Sequence, residues 1–248
     1  METGYDIIFF WVTRMIMMGL YFTKKLPFNN VYLHGLVRDE KGKKMSKTTG
    51  NVKEPLEVAQ RYGMDALRFS LLLGTTPGND LNFSESKVEA GKRFVNKIWN
   101  ASRYVILSAR EARSDDRAKS PTNPPPLEKG GGLRMGSLQI QTKEDKKILK
   151  KLDDITKQCD NHIKNYRLNL YAEDLHNFFW HDFCDTYLEE SKVQFKDEKL
   201  KLSTQNILLH VLIKSLRLLH PILPFVTEEI WQKLRDFDTS LSESIMIQ

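Results

Sequence analysis

Apolar residues crowd the start of the chain, then settle into a three-and-four spacing that runs almost to its end. Ile7 to Phe22 reads IIFFWVTRMIMMGLYF, apolar on nearly every side, which predicts a helix over 6–22 buried in a large core. The stretch is shorter than the ~20 residues a membrane span needs and carries Arg14 in its middle. Glu2 and Asp6 stand where a secretion signal would be basic, so no targeting segment is expected and the default location is the cytoplasm. A short strand follows at 31–34, then a glycine- and lysine-rich loop over 39–50. Helices are predicted from Pro55 to Tyr62, with Gly63 as the stop, and from Asp65 to Leu73. Alternation of this kind fits the α/β class, with a parallel nucleotide-binding sheet.

From Ser84, a candidate N-cap, the pattern is helical: Val88, Gly91, Phe94, Val95, Ile98 and Trp99 share one face. Residues 114–142 break it. They hold four of the nine prolines and four of the thirteen glycines, so a disordered linker or insertion is expected there. Periodicity then resumes. Leu168, Tyr171, Ala172, Leu175, Phe178, Phe179, Phe183 and Tyr187 mark one apolar face, and Ile207, Leu208, Val211, Leu212, Leu218 and Leu219 another, with Pro221 closing that helix. The expected organisation is an α/β part over 1–83 and an all-α helical bundle over 84–248.

Composition adds little to this: 40% hydrophobic and 28% charged residues are ordinary for a soluble domain. Cys159 and Cys184 are far apart, which points to a reducing compartment and away from a disulfide framework. His181 and Cys184 have a metal-like spacing without a second pair, so no metal site is expected. The charge is more telling in its distribution. Residues 1–110 carry 17 Lys/Arg against 10 Asp/Glu, whereas 111–248 carry 21 against 22, so the whole basic excess lies in the first part. An anionic ligand is one cause and solubility the other.

The loop concentrates that charge. Lys41, Lys43, Lys44 and Lys47 fall within seven positions free of acids, with glycines at 42 and 50 near either end and Ser46, Thr48 and Thr49 offering hydroxyls. Flexible ammonium groups suit phosphate oxygens, and glycines let backbone approach a ligand, yet a lysine-rich loop taken alone is most often a solvated turn.

The longer string HGLVRDEKGKKMSKTTGN, from His34 to Asn51, resembles the second signature of class I aminoacyl-tRNA synthetases. Its core is Lys44-Met45-Ser46-Lys47-Thr48, with threonine where the family usually has a second serine. ETGYDIIFFWV from Glu2 to Val12 resembles the valine branch, as do Asp65–Phe69, Pro77–Phe83, Asn96–Asn100, Phe178–Asp185, Leu219–Phe225 and Thr227–Trp231. The resemblance therefore reaches nearly all of the chain outside 114–142. It implies a Rossmann-type catalytic domain ending in the lysine loop, followed by a helical anticodon-binding domain. The implied substrates are ATP with Mg2+, valine and tRNA(Val). Lys44 and Lys47 would stabilise the α-phosphate and departing pyrophosphate, with Lys47 the more critical. The same resemblance puts Gly4 and Asp6 at the ribose, His34 and Gly35 beside the adenine, Met45, Ser46 and Thr48 in the nucleotide loop, and Trp11 in the wall of the valine pocket. On the residues alone, Asp6 is equally a helix N-cap, and Trp99, Trp180 and Trp231 read as core.

The chain also departs from the family. None of its six histidines forms His-x-Gly-His, no editing insert is present, and it stops at Gln248, before the expected C-terminal extension. The expectation is a C-terminal fragment, complete for catalysis only with an N-terminal half. The alternatives are a stand-alone tRNA-binding module, a decayed gene product, or an isoleucine-specific relative.

Overall fold

In a computed structural model, residues 1–119, 139–237 and 240–247 are described, and the side chains at 110–119 and 237 are left aside. Strand β1 (Glu2–Gly4) turns directly into helix through a 3₁₀ segment (Tyr5–Ile7) and a π segment (Ile8–Val12), which continue as α1 (Thr13–Thr23). Strand β2 (Tyr32–His34) returns parallel to β1, with Glu2 opposite Tyr32 and Gly4 opposite His34. Parallel partners need such a crossover, and this one is a helix. Strands β3 (Val37–Arg38) and β4 (Leu81–Asn82) form a second parallel pair, connected through α2 (Pro55–Tyr62) and α3 (Met64–Leu72). The parallel pairing expected of the first part is present, as two short ladders.

The helix after β1 forms where the sequence puts it but is not buried as expected. Val12 is its one buried residue, while Phe9 is 73% exposed, Phe10 63% and Phe22 69%. Apolarity records that a face is to be covered, not what covers it, and no described element packs on the outer side. By length and composition Tyr5–Thr23 is also long enough to cross a membrane. Its place as the crossover between two paired strands, with Arg14 inside it, puts it in a βαβ unit instead.

The remaining helices build the bundle: α4 (Glu85–Lys119), α5 (Lys143–Lys164), α6 (Leu168–Asn177), a π segment (Phe178–Tyr187), α7 (Leu188–Gln194), α8 (Glu198–Leu219) and α9 (Pro224–Phe237). Their core follows the predicted faces. Tyr171, Ala172, Leu175, Phe178, Phe179, Phe183 and Tyr187 are all buried; Leu168, at the helix start, is 37% exposed. Trp231 is fully buried, and Trp99 and Trp180 pack half-buried against the same core. Cys159 and Cys184 are buried too, and burial pushes both thiols up to about 12. His181 pairs with Asp185 at 3.1 Å.

The predicted linker is shorter at both ends than 114–142. Backbone stays helical through Lys119, since Asp115 to Lys119 contains no breaker. At the other end, Thr142 closes a capping box with Asp145: its hydroxyl accepts from Asp145 N (3.1 Å), and the carboxylate accepts from Thr142 N (3.0 Å). Residues 120–138, the centre of that expectation, lie outside the described residues.

Helix α3 joins the two parts. Its Ala66 and Leu67 pack with Val58, Phe83 and Val88 in a small cluster, while its Phe69 enters the bundle core, 4.9 Å from Phe94 ring to ring. Close approach demands glycine at 91, because a Cβ there would sit 2.6 Å from the Ala66 carbonyl oxygen. The far end of the bundle is tied to the same helix. Leu223, just ahead of α9, has no side-chain acceptor for the first N–H groups of that helix. Asp65 supplies both, accepting from Phe225 N (3.3 Å) and Val226 N (2.7 Å). Arg68, on the same side of α3, donates to the carbonyls of Pro221 and Ile222, each at 3.0 Å.

Asp65→Ala leaves those two partly buried N–H groups without a side-chain acceptor. It is expected to cost about 1–2 kcal/mol, lowering the melting temperature by roughly 2–4 °C per kcal/mol for a chain of this size. A melting temperature equal to the parent's would show that the cross-chain cap contributes nothing.

Candidate functional site

The lysine loop begins as a tight hairpin. Arg38 and Lys44 bridge across it, Asp39 N donates to Lys43 O (2.9 Å), and Gly42 N donates to Asp39 O (3.0 Å). Inside the turn, the Asp39 carboxylate collects two backbone donors, Lys41 N (3.0 Å) and Lys43 N (2.7 Å). Asn51 then closes the loop with both ends of its amide. Its Nδ2 donates to Asp39 Oδ2 (2.9 Å) and Lys44 O (3.2 Å), while its Oδ1 accepts from Ser46 N (2.9 Å) and Thr49 Oγ1 (2.6 Å).

The hydroxyls that the sequence offers to a ligand are thus committed inside the loop. Ser46 Oγ and Thr48 Oγ1 lie 2.6 Å apart, and Thr49 Oγ1 also reaches Ser46 O at 3.0 Å. Met45 points the other way and packs on the Val58–Leu67–Phe83–Val88 cluster. One apolar anchor and one amide clamp hold the backbone, and the side chains of Lys41, Lys43, Lys44 and Lys47 are left exposed.

Parallel strands place ligands outside their carboxyl ends, and Gly4, Asp6, His34, Gly35 and Lys44 of the predicted residues gather at that end of β1–β2. Gly4 and His34 are register partners, and Lys44 Nζ stands 3.8 Å from Asp6 Oδ2. The Asp6 carboxylate lies over the strand end, where a Cβ on Gly4 would come within 2.8 Å of its Oδ1. His34 Nδ1 is 2.9 Å from the Gly35 carbonyl, and its Nε2 is 3.4 Å from Glu2 Oε1. Gly35 has a packing reason of its own: a Cβ there would lie 1.8 Å from the Asn79 carbonyl oxygen. Trp11 stands apart, 54% exposed on the helix, and the described residues leave it open rather than walling a pocket with it.

Three polar residues of the frame do not stand out in the sequence: Asp39, Asn51 and Asp80. Asp80 accepts from Leu36 N (2.8 Å), from Tyr5 OH (3.3 Å) and from the Arg38 guanidinium, so it ties the strand ends to the base of the hairpin. The Leu36 N–H, then Arg38, hold its carboxyl below the usual range. Asp39 is held down in the same way, by the Asn51 amide first and the Lys43 N–H next. Asp and Asn at the two ends of a Gly–Lys turn are the available signal, since both types bond nearby backbone.

Comparison with known proteins bears on the family and the fold. The family described as tRNA synthetases class I (I, L, M and V) matches residues 1–84, and the anticodon-binding domain of tRNA ligase matches residues 145–248. A valine–tRNA ligase of Clostridium tetani is 42% identical over 98% of this chain and 26% of its own length. One of Dehalococcoides mccartyi is 44% identical over 100% of this chain and 26% of its own length. The chain thus spans about a quarter of the curated relatives it matches. Among solved structures, the methionyl-tRNA synthetase of Mycobacterium tuberculosis with methionyl-adenylate superposes with a TM-score of 0.69 at 18% identity, covering 98% of this chain and 46% of that one. The ternary LeuRS–tRNA–LeuAMS complex of Agrobacterium radiobacter gives 0.68 at 18% identity, covering 93% and 26%.

Because the Asp39 carboxyl titrates lower folded than unfolded, its hold on the turn is present above the ordinary carboxylate pKa. That hold is lost as pH falls through the lowered value. Hydrogen exchange of the 41–51 amides should therefore accelerate in acid after correction for intrinsic rates. Asn51→Ala should produce the same loosening at neutral pH. Unchanged protection in Asn51→Ala would mean the clamp does not order the loop.

Proposed function

The chain belongs to the class I aminoacyl-tRNA synthetases, alongside valine–tRNA ligases, and from that premise we propose that it supplies the lysine loop and the tRNA-holding helices of a valine–tRNA ligase. The observation that carries this reading is the meeting of exposed Lys44 with Asp6 and the Gly4–His34 pair at the carboxyl end of β1–β2.

In the reaction, a carboxylate oxygen of valine attacks the α-phosphorus of ATP, and the bond from that phosphorus to the bridging oxygen of pyrophosphate breaks. A hydroxyl of the 3′-terminal adenosine of tRNA(Val) then attacks the acyl carbon, and AMP leaves with the electron pair. Charge builds on phosphate oxygens in the first step, and the remedy is positioned positive charge. Lys44 and Lys47 provide it from a fixed backbone, Lys47 as the more important, together with the Mg2+ that accompanies ATP. Asp6 and Gly4 receive the ribose, where a carboxylate accepts from its hydroxyls. His34 and Gly35 lie along the adenine, and Met45, Ser46 and Thr48 shape the loop around the phosphates. Trp11 forms part of the wall of the valine pocket, completed by polypeptide packed over the helix. The bare faces of Phe9, Phe10, Met17 and Phe22 support that completion.

Two binding measurements separate the roles. The chain should retain tRNA(Val) in preference to tRNA(Met), and Lys47→Ala should change that affinity less than two-fold. The same variant should weaken Mg–ATP binding about ten-fold or more, the scale of a lost charge-assisted hydrogen bond. Equal affinity for both tRNAs would contradict the proposal, as would ATP binding indifferent to Lys47.

A further inference from the structure

Helix α5 stops at Lys164 in a turn that normally calls for glycine. Tyr166 N donates to Ile163 O (3.1 Å) and Arg167 N to His162 O (2.8 Å), the paired bonds of a left-handed helix stop. Tyr166 itself takes φ +56°, where a Cβ crowds the backbone and glycine carries no penalty. Its side chain is 47% exposed, so packing into the helix end does not account for a tyrosine there. The ring lies 6.0 Å from that of Tyr32, tilted by 36°, within the range of favourable aromatic pairs. A bulky residue persists in the left-handed region where surrounding contacts over-determine it, and Tyr32 supplies such a contact.

Tyr32 opens β2, the strand that ends in His34. Among the described residues, the β1–α1–β2 unit lends none to either apolar cluster, so its seat depends on individual ties. Several run to neighbours in the α/β part: Gly78 N donates to Leu33 O (2.9 Å), Tyr5 OH to Asp80 Oδ2 (3.3 Å), and Lys44 faces Asp6. Tyr166 reaches the same unit from the bundle. Just beyond it α6 begins, and Glu173 on that helix accepts from Gly74 N (3.2 Å) in the turn after α3. We infer that Tyr166 is a positioning residue, a second tie between the parts beside α3. It seats the β1–α1–β2 unit on the bundle and so fixes where Gly4, Asp6 and His34 stand relative to the helices. Its importance for the reaction rests on reading that strand end as the nucleotide site.

The test uses the whole chain with spin labels on Met18→Cys in α1 and Lys157→Cys in α5, both exposed, while Cys159 and Cys184 are buried. Parent and Tyr166→Phe, which keeps the ring, should give one narrow distance distribution. Tyr166→Gly, which suits the left-handed turn but removes the ring, should give a broader or shifted one. A role confined to the helix end predicts the opposite, since glycine is the favoured residue there. Mg–ATP binding should weaken about two- to ten-fold in Tyr166→Gly, the scale of one aromatic contact, and return in Tyr166→Phe. If Tyr166→Gly melts early, Tyr32→Leu removes the partner ring with the turn intact and should broaden the distances likewise. A parent-like distribution in Tyr166→Gly, or one broadened equally in Tyr166→Phe, would overturn the inference. No Mg–ATP binding by the parent chain would overturn the nucleotide reading, and the distances would still decide the role of Tyr166.

Discussion

Helix α3 is the element on which the relative placement of everything else depends, and a single buried carboxylate on it fixes much of that placement. Asp65 caps a helix that begins 159 positions later in the chain, close to where Arg68 holds the preceding turn by its carbonyls. On its remaining faces α3 divides its apolar residues between two clusters, one beneath the lysine loop and one inside the bundle. Burial raises the Asp65 carboxyl, so the cap is held at a desolvation cost that its two N–H donors and Arg68 partly offset. The consequence is geometric. The cluster beneath the lysine loop and the core of the helical bundle rest on different faces of this one helix.

The loop itself sets mobile charges on a backbone held in place, which is what the proposed phosphate role requires. Asp39 and Asn51 satisfy the turn internally, Met45 anchors it in apolar packing, and the hydroxyls bond one another. The lysine side chains, having no part in that scaffold, stay exposed, and Asp6 balances that of Lys44. Such an arrangement lets charge be presented without being buried, which spares an ammonium group the loss of its hydration.

Local features of this design are legible in the sequence, because they depend on near neighbours. The bundle faces, the strand at 31–34, the stop at Gly63 and the loop all follow from spacing and turn chemistry. What escapes depends on distant partners. Asp65 reads as an ordinary first-turn acid until α9 is seen above it, and Asp80 as a turn residue until Leu36, Arg38 and Tyr5 converge on it. The helix at 5–23 reads as buried because its composition is that of a core, whereas only its inner edge is covered here. The π hydrogen bonding at Phe178–Tyr187 does not show in the spacing, although the predicted apolar face there is buried. A split between residues 83 and 84 also misses that Phe69 already belongs to the bundle core.

Because the chain spans about a quarter of its valine–tRNA ligase relatives, the proposed catalytic role is tested most directly in the setting of a whole relative. The decisive measurement is ATP–pyrophosphate exchange by this chain joined to the remaining sequence of the Clostridium tetani relative. Exchange is expected to depend on valine and to fall by orders of magnitude in Lys47→Ala. Exchange that survives Lys47→Ala, or that answers to isoleucine as well as to valine, would contradict the assigned role.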